Sequence, residues 1–233
     1  RVGRTRSAIQ CYGDAVGADG EEMAESVKKA MEKGYKHVRL NYAGATVPVS
    51  PGFDGMPTRV TIDPDEWLRR IPKIFEYVRK TCGDDVELIQ HLHGQLPPQA
   101  TIGMVKRLEP YRPYFFEDPF YPEDIGYMQN LRQQTAVPIA IGEKFVNEHE
   151  YVGLISGRLM DFIRVHVPAV GGLTKSWKLA VLGEWVFRAH RLARARRPFS
   201  GRACGERAPG EFRHSGRVRD PRRADARRSR ARR

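Results

Sequence analysis

The sequence predicts an α/β fold, an incomplete TIM-type (β/α) barrel of about six β/α units. β-prone runs alternate with amphipathic helical runs over residues 7–185, which is typical of a parallel sheet. No glycine-rich fingerprint follows the first strand, so an open dinucleotide-binding sheet lacks its motif. Polar residues recur at the carboxyl ends of the predicted strands, and in a barrel those ends converge on the face that carries active sites.

The first elements are defined by periodicity and by glycine or proline stops. Ser7–Tyr12 is a short β-prone run, and Glu21–Lys33 places its apolar residues on one helical face before Gly34 ends the helix. Tyr35–Tyr42 predicts the second strand. Residues 43–63 are rich in glycine and proline, so we expect a long loop there.

The later elements follow the same rules, with short apolar runs as strands and longer amphipathic runs as helices. The remaining predicted strands are Val86–His93, Tyr114–Glu117, Pro138–Gly142 and Asp161–His166. The remaining predicted helices are Asp65–Thr81, Gln99–Leu108, Ile125–Gln134, Tyr151–Ser156 and Leu173–Trp185.

Charge divides the chain into two parts. Residues 186–233 carry 17 arginines against four acidic residues, a formal charge of +13, whereas the whole chain carries +12. We therefore predict a nearly neutral barrel domain over residues 1–185 and a disordered arginine-rich tail over residues 186–233. No apolar run approaches the length of a membrane span, no signal-peptide pattern opens the chain and the three cysteines are widely spaced, so we expect a cytoplasmic protein without disulfide bonds.

One spacing points to a metal site. Glu117 lies 26 residues after His91, and Glu143 lies 26 residues after Glu117. An interval of one β/α unit predicts that the three side chains lie on adjacent strands at one height, at one barrel mouth. Two carboxylates and a third ligand suit a hard divalent cation, most simply Mg²⁺. The alternative is that each acidic residue caps the following helix, but the repeated interval favours the metal site.

Three motifs carry a family resemblance: FFEDPFYPED (Phe115–Asp124), PIAIGEKF (Pro138–Phe145) and DFIRVHVPAVGGLT (Asp161–Thr174). They resemble the mannonate and galactonate (acid-sugar) dehydratase group, in the mandelate racemase and muconate lactonizing branch of the enolase superfamily. The resemblance implies a carbon–oxygen lyase that removes water from an aldonic acid such as D-mannonate, D-galactonate or D-gluconate through an enediolate. It also implies one Mg²⁺ per site, a small sugar acid as the binding partner, and a homo-oligomer in the intact family.

The resemblance also assigns roles to individual residues. Positions 91, 117 and 143 correspond to the Mg²⁺ ligands of the family. His93 matches a histidine that acts in acid/base catalysis, for example by protonating the departing hydroxyl, and Arg39 matches a residue that assists the base. Arg164 matches a residue that contacts the substrate, although it could equally be a counter-ion for Glu143.

The chain departs from the family pattern in several places. His91 stands where the family has a metal-binding aspartate, which removes one negative charge and shifts the preference toward Zn²⁺, Ni²⁺ or Co²⁺. Residues 43–65 contain no tyrosine to match the base of mannonate dehydratases, so galactonate and gluconate stay open as substrates. The family's N-terminal capping domain and its last two barrel units have no counterpart, so we expect a truncated and impaired enzyme.

The tail has its own explanation. When the possible codons of residues 191–210 are shifted by one base, they permit a run that contains the family's Trp-His-Gly-Pro-Gly-Asp motif. We therefore interpret the tail as the product of a frameshift near residues 185–188.

Two alternative functions stay open. One is a racemase or epimerase of the same superfamily, although the usual Lys-x-Lys of strand two is replaced by Val38-Arg39-Leu40. The other is a basic nucleic-acid-binding protein that uses the arginine-rich tail to contact phosphates.

Overall fold

The computed structural model of the chain describes residues 11–44, 46–50 and 59–188. The strands are β1 (Gly13–Gly17), β2 (His37–Tyr42), β3 (Thr46–Ser50), β4 (Arg59–Ile62), β5 (Glu87–His91), β6 (Phe115–Glu117), β7 (Ile139–Ile141) and β8 (Phe162–Ile163). The helices are α1 (Gly20–Glu32), α2 (Pro64–Cys82), α3 (Pro98–Leu108), α4 (Ile125–Gln134), α5 (Glu148–Ser156) and α6 (Leu173–Arg188), with a 3₁₀ turn at Glu109–Tyr111.

Six of these strands form one parallel sheet in the order β1-β2-β5-β6-β7-β8. Each strand of this sheet pairs with the next sheet strand along the chain, and a helix follows each of them, with the β3–β4 hairpin inserted between β2 and α2. This is the topology of a partial (β/α) barrel, because in an open doubly wound sheet the strand order reverses at a switch point. The predicted fold class is therefore confirmed.

Three of the helices, α1, α2 and α5, begin where a side chain accepts hydrogen bonds from their free backbone amides. Asp19 accepts a hydrogen bond from the amide of Glu22 at 2.9 Å, which caps α1. Asp63 accepts from two amides at the start of α2. At α5 the side chain of Asn147 accepts from the amide of His149 while the Glu150 carboxylate accepts from the amide of Asn147. These caps match the local sequence and fix each helix start.

Apolar side chains cover both faces of the sheet. The larger core lies between the sheet and the helices, and includes Val27, Phe75 and Phe116. A smaller cluster on the inner face is centred on Ile89 and Phe115. Because side chains alternate along a strand, the residues two positions beyond these inner residues also face the interior. Those residues are His91 and Glu117, at the carboxyl ends of β5 and β6.

The structure corrects three sequence expectations. The first strand lies at Gly13–Gly17, downstream of the predicted Ser7–Tyr12, whose residues 7–10 are outside the described part of the chain. Within the predicted loop of residues 43–63, β3 and β4 pair as an antiparallel hairpin. The last strand is only Phe162–Ile163, because the chain after Ile163 turns away to form loop structure.

Two further observations concern the cysteines and the membrane. Cys82 is a free cysteine. Among the described helices, none combines the length and apolarity that a bilayer span requires. The predicted tail lies outside the described residues apart from its first three, which belong to α6.

Candidate metal centre

His91 and Glu117 lie side by side at the carboxyl ends of adjacent strands. The two residues are partners in the parallel register of β5 and β6. The Nε2 atom of His91 lies 3.5 Å from Oε1 of Glu117. The Glu117 side chain is fully buried, and that of His91 is 16% exposed. For His91 and Glu117, the spacing of 26 residues therefore corresponds to paired positions on adjacent strands.

Glu143 reaches the same place by a different route. The register of β6 and β7 pairs Glu117 with Ala140, so Glu143 lies three residues beyond the level of Glu117, and the expectation of equal height is wrong for it. Gly142, with φ of 139°, turns the chain after β7. A Cβ atom at Gly142 would lie 2.8 Å from the carbonyl oxygen of Arg164, so the turn needs glycine. The turn brings Glu143 back to His91 and Glu117 although it lies beyond the strand.

Arg39 lies beneath the cluster and not at a strand end. It is the third residue of β2 and pairs in register with Asp14 and Ile89, so the predicted position at the end of the strand is wrong. Its guanidinium donates from Nη1 to Oε1 of Glu117 at 2.6 Å and from Nε to Oδ1 of Asp14 at 2.7 Å. This buried arginine therefore neutralises part of the charge of Glu117.

Arg164 is the second buried guanidinium, and it lies against the carboxylates of Glu117, Asp118 and Glu143. It donates from Nη1 to Oε2 of Glu143, and its Nε atom lies 3.2 Å from Oε2 of Glu117. Its Nε also donates to the hydroxyl of Tyr12 at 2.8 Å, and that hydroxyl donates to Glu117 at 3.3 Å. The contact with Glu143 matches the counter-ion alternative for Arg164.

His93 joins the cluster through a turn and not through strand alternation. The strand β5 ends at His91, and His93 and Gly94 have φ of 56° and 62°. The imidazole rings of His91 and His93 are 4.8 Å apart. The Lys144 ammonium donates to the backbone carbonyl of His93 and lies 3.7 Å from the centre of the Tyr121 ring. Both histidines therefore face the mouth, as expected, and Lys144 holds the turn that places His93.

Asp118 is the acidic residue that the sequence analysis left without a role. It is 1% exposed and has φ of 46°, in the left-handed region. Its Oδ1 atom accepts from the amide of Gly142 at 3.2 Å, and its carbonyl oxygen accepts from the amide of Gly94 at 2.7 Å. The sequence signal that could have identified Asp118 as a site residue was its position directly after Glu117, in the run FFEDPF. Tyr12 and Asp14 gave no such signal.

Burial dominates the electrostatics of the cluster: it favours the neutral form of His91 and raises the pKa of the carboxyl groups of Glu117 and Asp118. Burial, assisted by the charges of Arg39, His93 and Arg164, lowers the pKa of His91 to about 3. Burial and the neighbouring Glu117 raise the pKa of Asp118 to about 7, while Arg164 opposes this rise. Burial also raises the pKa of Glu117, against the two guanidiniums. A neutral imidazole and ionised carboxylates are the forms that bind metal ions.

The residues fit a divalent cation. One donor atom from each of His91, Glu117, Asp118 and Glu143 lies within 4.8 Å of the others, and His91, His93 and Glu143 form an overlapping group. Nε2 of His91 and Oδ2 of Asp118 are buried and make no hydrogen bond among the described residues. Buried polar atoms are normally paired, so these two atoms point to a missing ligand.

A parallel sheet in chain order with a polar cluster at its carboxyl edge defines the class of protein. Residues 22–185 match the family of enolase C-terminal domain-like proteins, and the chain belongs to this family. It is 34% identical over 201 residues to a D-galactonate dehydratase family member of Musicola paradisiaca. The aligned region covers 78% of this chain and 48% of that protein. A D-galactonate dehydratase family member of Paenibacillus sp. is 38% identical over 193 residues, with 78% and 46% covered.

A solved structure supports the same assignment. An enolase from Pantoea ananatis with bound D-gluconate and Mg has a TM-score of 0.71 and 33% identity, covering 79% of this chain and 49% of that one. The chain therefore spans about half the length of the relatives that it matches. The predicted family, the acid-sugar dehydratase group of the enolase superfamily, is confirmed.

Proposed function

We propose that this chain is the catalytic part of a metal-dependent dehydratase that removes water from an aldonic acid such as D-mannonate, D-galactonate or D-gluconate. The proposal rests on one observation: His91, Glu117 and Glu143 lie in one cluster beside two buried guanidiniums. In this cluster, Nε2 of His91 and Oδ2 of Asp118 make no hydrogen bond among the described residues. Relatives named D-galactonate dehydratase family members and a relative that binds D-gluconate with Mg support the substrate class.

The metal ligands in this proposal are Glu117, Glu143 and His91. A divalent cation held there would supply positive charge next to the substrate carboxylate and stabilise the negative charge that develops when the α-proton leaves. An imidazole in place of a third carboxylate weakens the binding of Mg²⁺ in particular, because Mg²⁺ prefers oxygen ligands. We therefore propose Mg²⁺ as the family cofactor and a reduced affinity for it in this chain.

The proton steps are assigned to His93 and Arg39. His93 lies at the mouth with its ring next to His91, so its imidazole can give a proton to the β-hydroxyl as that group departs. Arg39 opposes the rise that burial causes in the pKa of Glu117, through the 2.6 Å contact, and presents positive charge below the cluster. Arg39 therefore favours the deprotonated form of any acid that approaches it, which is how it would assist a base.

Substrate binding is assigned to Arg164. A small cavity is lined by Glu143, Arg164, Val165 and His166, so a polar group of a ligand can approach the guanidinium from the open side. Arginine is suited to this role because its planar group binds carboxylates and hydroxyls with several donors. Its present contact with Glu143 is compatible with a ligand, since one guanidinium carries five N–H donors.

The test uses the full chain with each of the three aldonates and Mg²⁺ in D₂O. Dehydration is measured as the 2-keto-3-deoxy acid, and proton abstraction as loss of the C2–H signal in the NMR spectrum. We expect both with at least one aldonate, and neither in Glu117→Gln. The control Asp161→Asn changes a carboxylate at the start of β8 that contacts Arg132, at the other edge of the sheet, and should leave both signals intact.

The two readouts separate the proposal from its alternative. Exchange of the C2 proton together with a C2 epimer, and without a keto acid, would identify a racemase or epimerase. Absence of both reactions with every aldonate, in a chain that binds metal, would refute dehydration by this chain.

A further inference from the structure

Asp118 is a buried carboxylate with one oxygen unused. Its Oδ1 atom accepts from the Gly142 amide at 3.2 Å, but Oδ2 makes no hydrogen bond among the residues that the structure describes. The nearest cation is Nη1 of Arg164 at 3.5 Å, and that atom is already bonded to Glu143. A buried carboxylate oxygen without a hydrogen bond destabilises the folded state. Because buried polar atoms normally have partners, the unpaired Oδ2 atom of Asp118 calls for an explanation.

The backbone at Asp118 is what aims this carboxylate inward. Strand alternation would send the residue after Glu117 to the opposite face of the sheet. The left-handed φ of 46° breaks that alternation, and it is held by the contact from the Gly94 amide to the Asp118 carbonyl at 2.7 Å. Left-handed backbone at a non-glycine residue is unfavourable and concentrates at functional sites. Two adjacent carboxylates, Glu117 and Asp118, are thereby directed into one cluster.

The charge of the cluster leaves room for two positive charges. The groups in direct contact comprise two guanidiniums, of Arg39 and Arg164, and four carboxylates, of Asp14, Glu117, Asp118 and Glu143. When all four carboxylates are ionised, the two guanidiniums leave an excess of two negative charges, which a single divalent cation would balance. The donor atoms available to it are one imidazole nitrogen and three carboxylate oxygens, all within 4.8 Å of one another.

We propose that Asp118 is a fourth metal ligand, and that His91, Glu117, Asp118 and Glu143 together select a transition-metal divalent cation over Mg²⁺. This inference rests on the proposed metal site and deepens it. Asp118 supplies the third carboxylate that the cluster lacks because position 91 is histidine. The imidazole nitrogen favours ions such as Co²⁺ and Ni²⁺, which accept mixed nitrogen and oxygen donors, over Mg²⁺, which requires oxygen and dehydrates reluctantly.

The first test needs no variant. Mn²⁺ is bound to the full chain carrying ¹³C at the side-chain carboxyl carbon of every aspartate, and pulsed EPR measures the couplings of ¹³C and ¹⁴N to the metal. The other three proposed ligands are a histidine and two glutamates, so among the four proposed ligands a strong ¹³C coupling can arise from Asp118 alone. We expect both the ¹³C coupling and the ¹⁴N coupling of an imidazole. A ¹⁴N coupling without ¹³C would overturn ligation by Asp118 and leave the proposed site standing, whereas neither coupling would overturn both.

The second test measures affinity by calorimetry with Co²⁺ and with Mg²⁺. Asp118→Asn keeps an oxygen for the Gly142 amide but loses the unused one, so we expect Co²⁺ binding at least ~10-fold weaker, the lower end of what loss of outer-shell partners costs. Asp161→Asn is the matched control, since Asp161 also accepts from a strand amide, that of Ile139 at 2.9 Å, and should bind Co²⁺ like the parent.

His91→Asp tests the selectivity. We expect the preference for Co²⁺ over Mg²⁺ to fall by roughly tenfold when the nitrogen donor becomes oxygen. An unchanged preference for Co²⁺ over Mg²⁺ in His91→Asp would overturn the proposed metal selectivity. An unchanged Co²⁺ affinity in Asp118→Asn would overturn the proposal that Asp118 is a metal ligand. Circular dichroism checks that each variant is folded. If a variant is unfolded, the ¹³C and ¹⁴N couplings measured in the parent protein decide whether Asp118 is a metal ligand.

Discussion

Replacing His91 with glutamine should change the pH dependence of stability in a calculable way. In the metal-free protein, burial and the adjacent guanidiniums lower the pKa of His91 from 6.5 to about 3. The folded state therefore keeps this imidazole neutral, while the unfolded state protonates it below pH 6.5. As a result the parent loses stability when the pH falls from 6.5 towards 3, and glutamine, which does not titrate, removes this loss.

The magnitude follows from linkage. Each pH unit below the unfolded pKa costs about 1.4 kcal/mol, so the loss from His91 reaches about 2 kcal/mol between pH 6.5 and pH 5. The side chain is only 16% exposed, so solvent screening removes a minor part of this. Other groups, including Asp118 with its raised pKa, contribute equally to parent and variant. They cancel in the difference between the two proteins.

The assay is urea unfolding followed by circular dichroism, in EDTA, at pH 7, 6 and 5. The free energy of unfolding of His91→Gln minus that of the parent should increase by about 2 kcal/mol between pH 7 and pH 5. His149→Gln, which removes an exposed histidine of α5, should give a profile parallel to that of the parent. A difference that stays flat for His91→Gln would refute the neutral, guanidinium-flanked imidazole, and with it the form that binds metal.

Three further predictions concern the same edge of the sheet and the tail. Arg164→Met should lower the free energy of unfolding by ~3–5 kcal/mol, because it strands buried carboxylates, whereas Arg132→Met at a surface pair should cost at most ~1 kcal/mol in the same urea experiment. Gly142→Ala should cost ~1–3 kcal/mol by thermal melting, because its φ is positive and Cβ meets the Arg164 carbonyl. Gly126→Ala, whose Cβ meets no atom within 4 Å, should be neutral or stabilising, and an equal loss in both would contradict the argument. Sequencing the DNA around codons 185–188 should reveal a one-base shift that restores Trp-His-Gly-Pro-Gly-Asp, and an alternative frame without that motif would refute it.

Much of the barrel could be predicted because its signals are local. Helices such as α2 carry an apolar face, an N-terminal aspartate and a glycine stop, all within one segment. The first strand was misplaced because its sequence, GDAVG, is rich in glycine and poor in β-branched residues. Glycine is required at position 17 by close packing, since a Cβ atom at Gly17 would lie 2.5 Å from the backbone nitrogen of Met23. The β3–β4 hairpin was missed because the surrounding glycine and proline obscured two short strands.

The candidate site was predictable only where spacing carried the information. The interval of one β/α unit brought together His91, Glu117 and Glu143, which the fold places in one cluster. The contacts of Tyr12 with Glu117 and Arg164 span 105 and 152 residues, and no local pattern encodes them. The inward direction of Asp118 depends on a left-handed backbone angle that its sequence neighbours do not require. Long-range packing and local backbone exceptions therefore escaped the sequence analysis.

The bonds of Asp118 tie three strand ends into one mechanical unit. Its carbonyl holds the turn at Gly94, next to His93, and its side chain holds the turn at Gly142, next to Glu143. A displacement of either turn is thus transmitted to the other through a single residue. His93 and Glu143, the proposed acid and a proposed metal ligand, are therefore connected through Asp118, and a cation bound at this edge would hold the turn that carries the proposed acid as well.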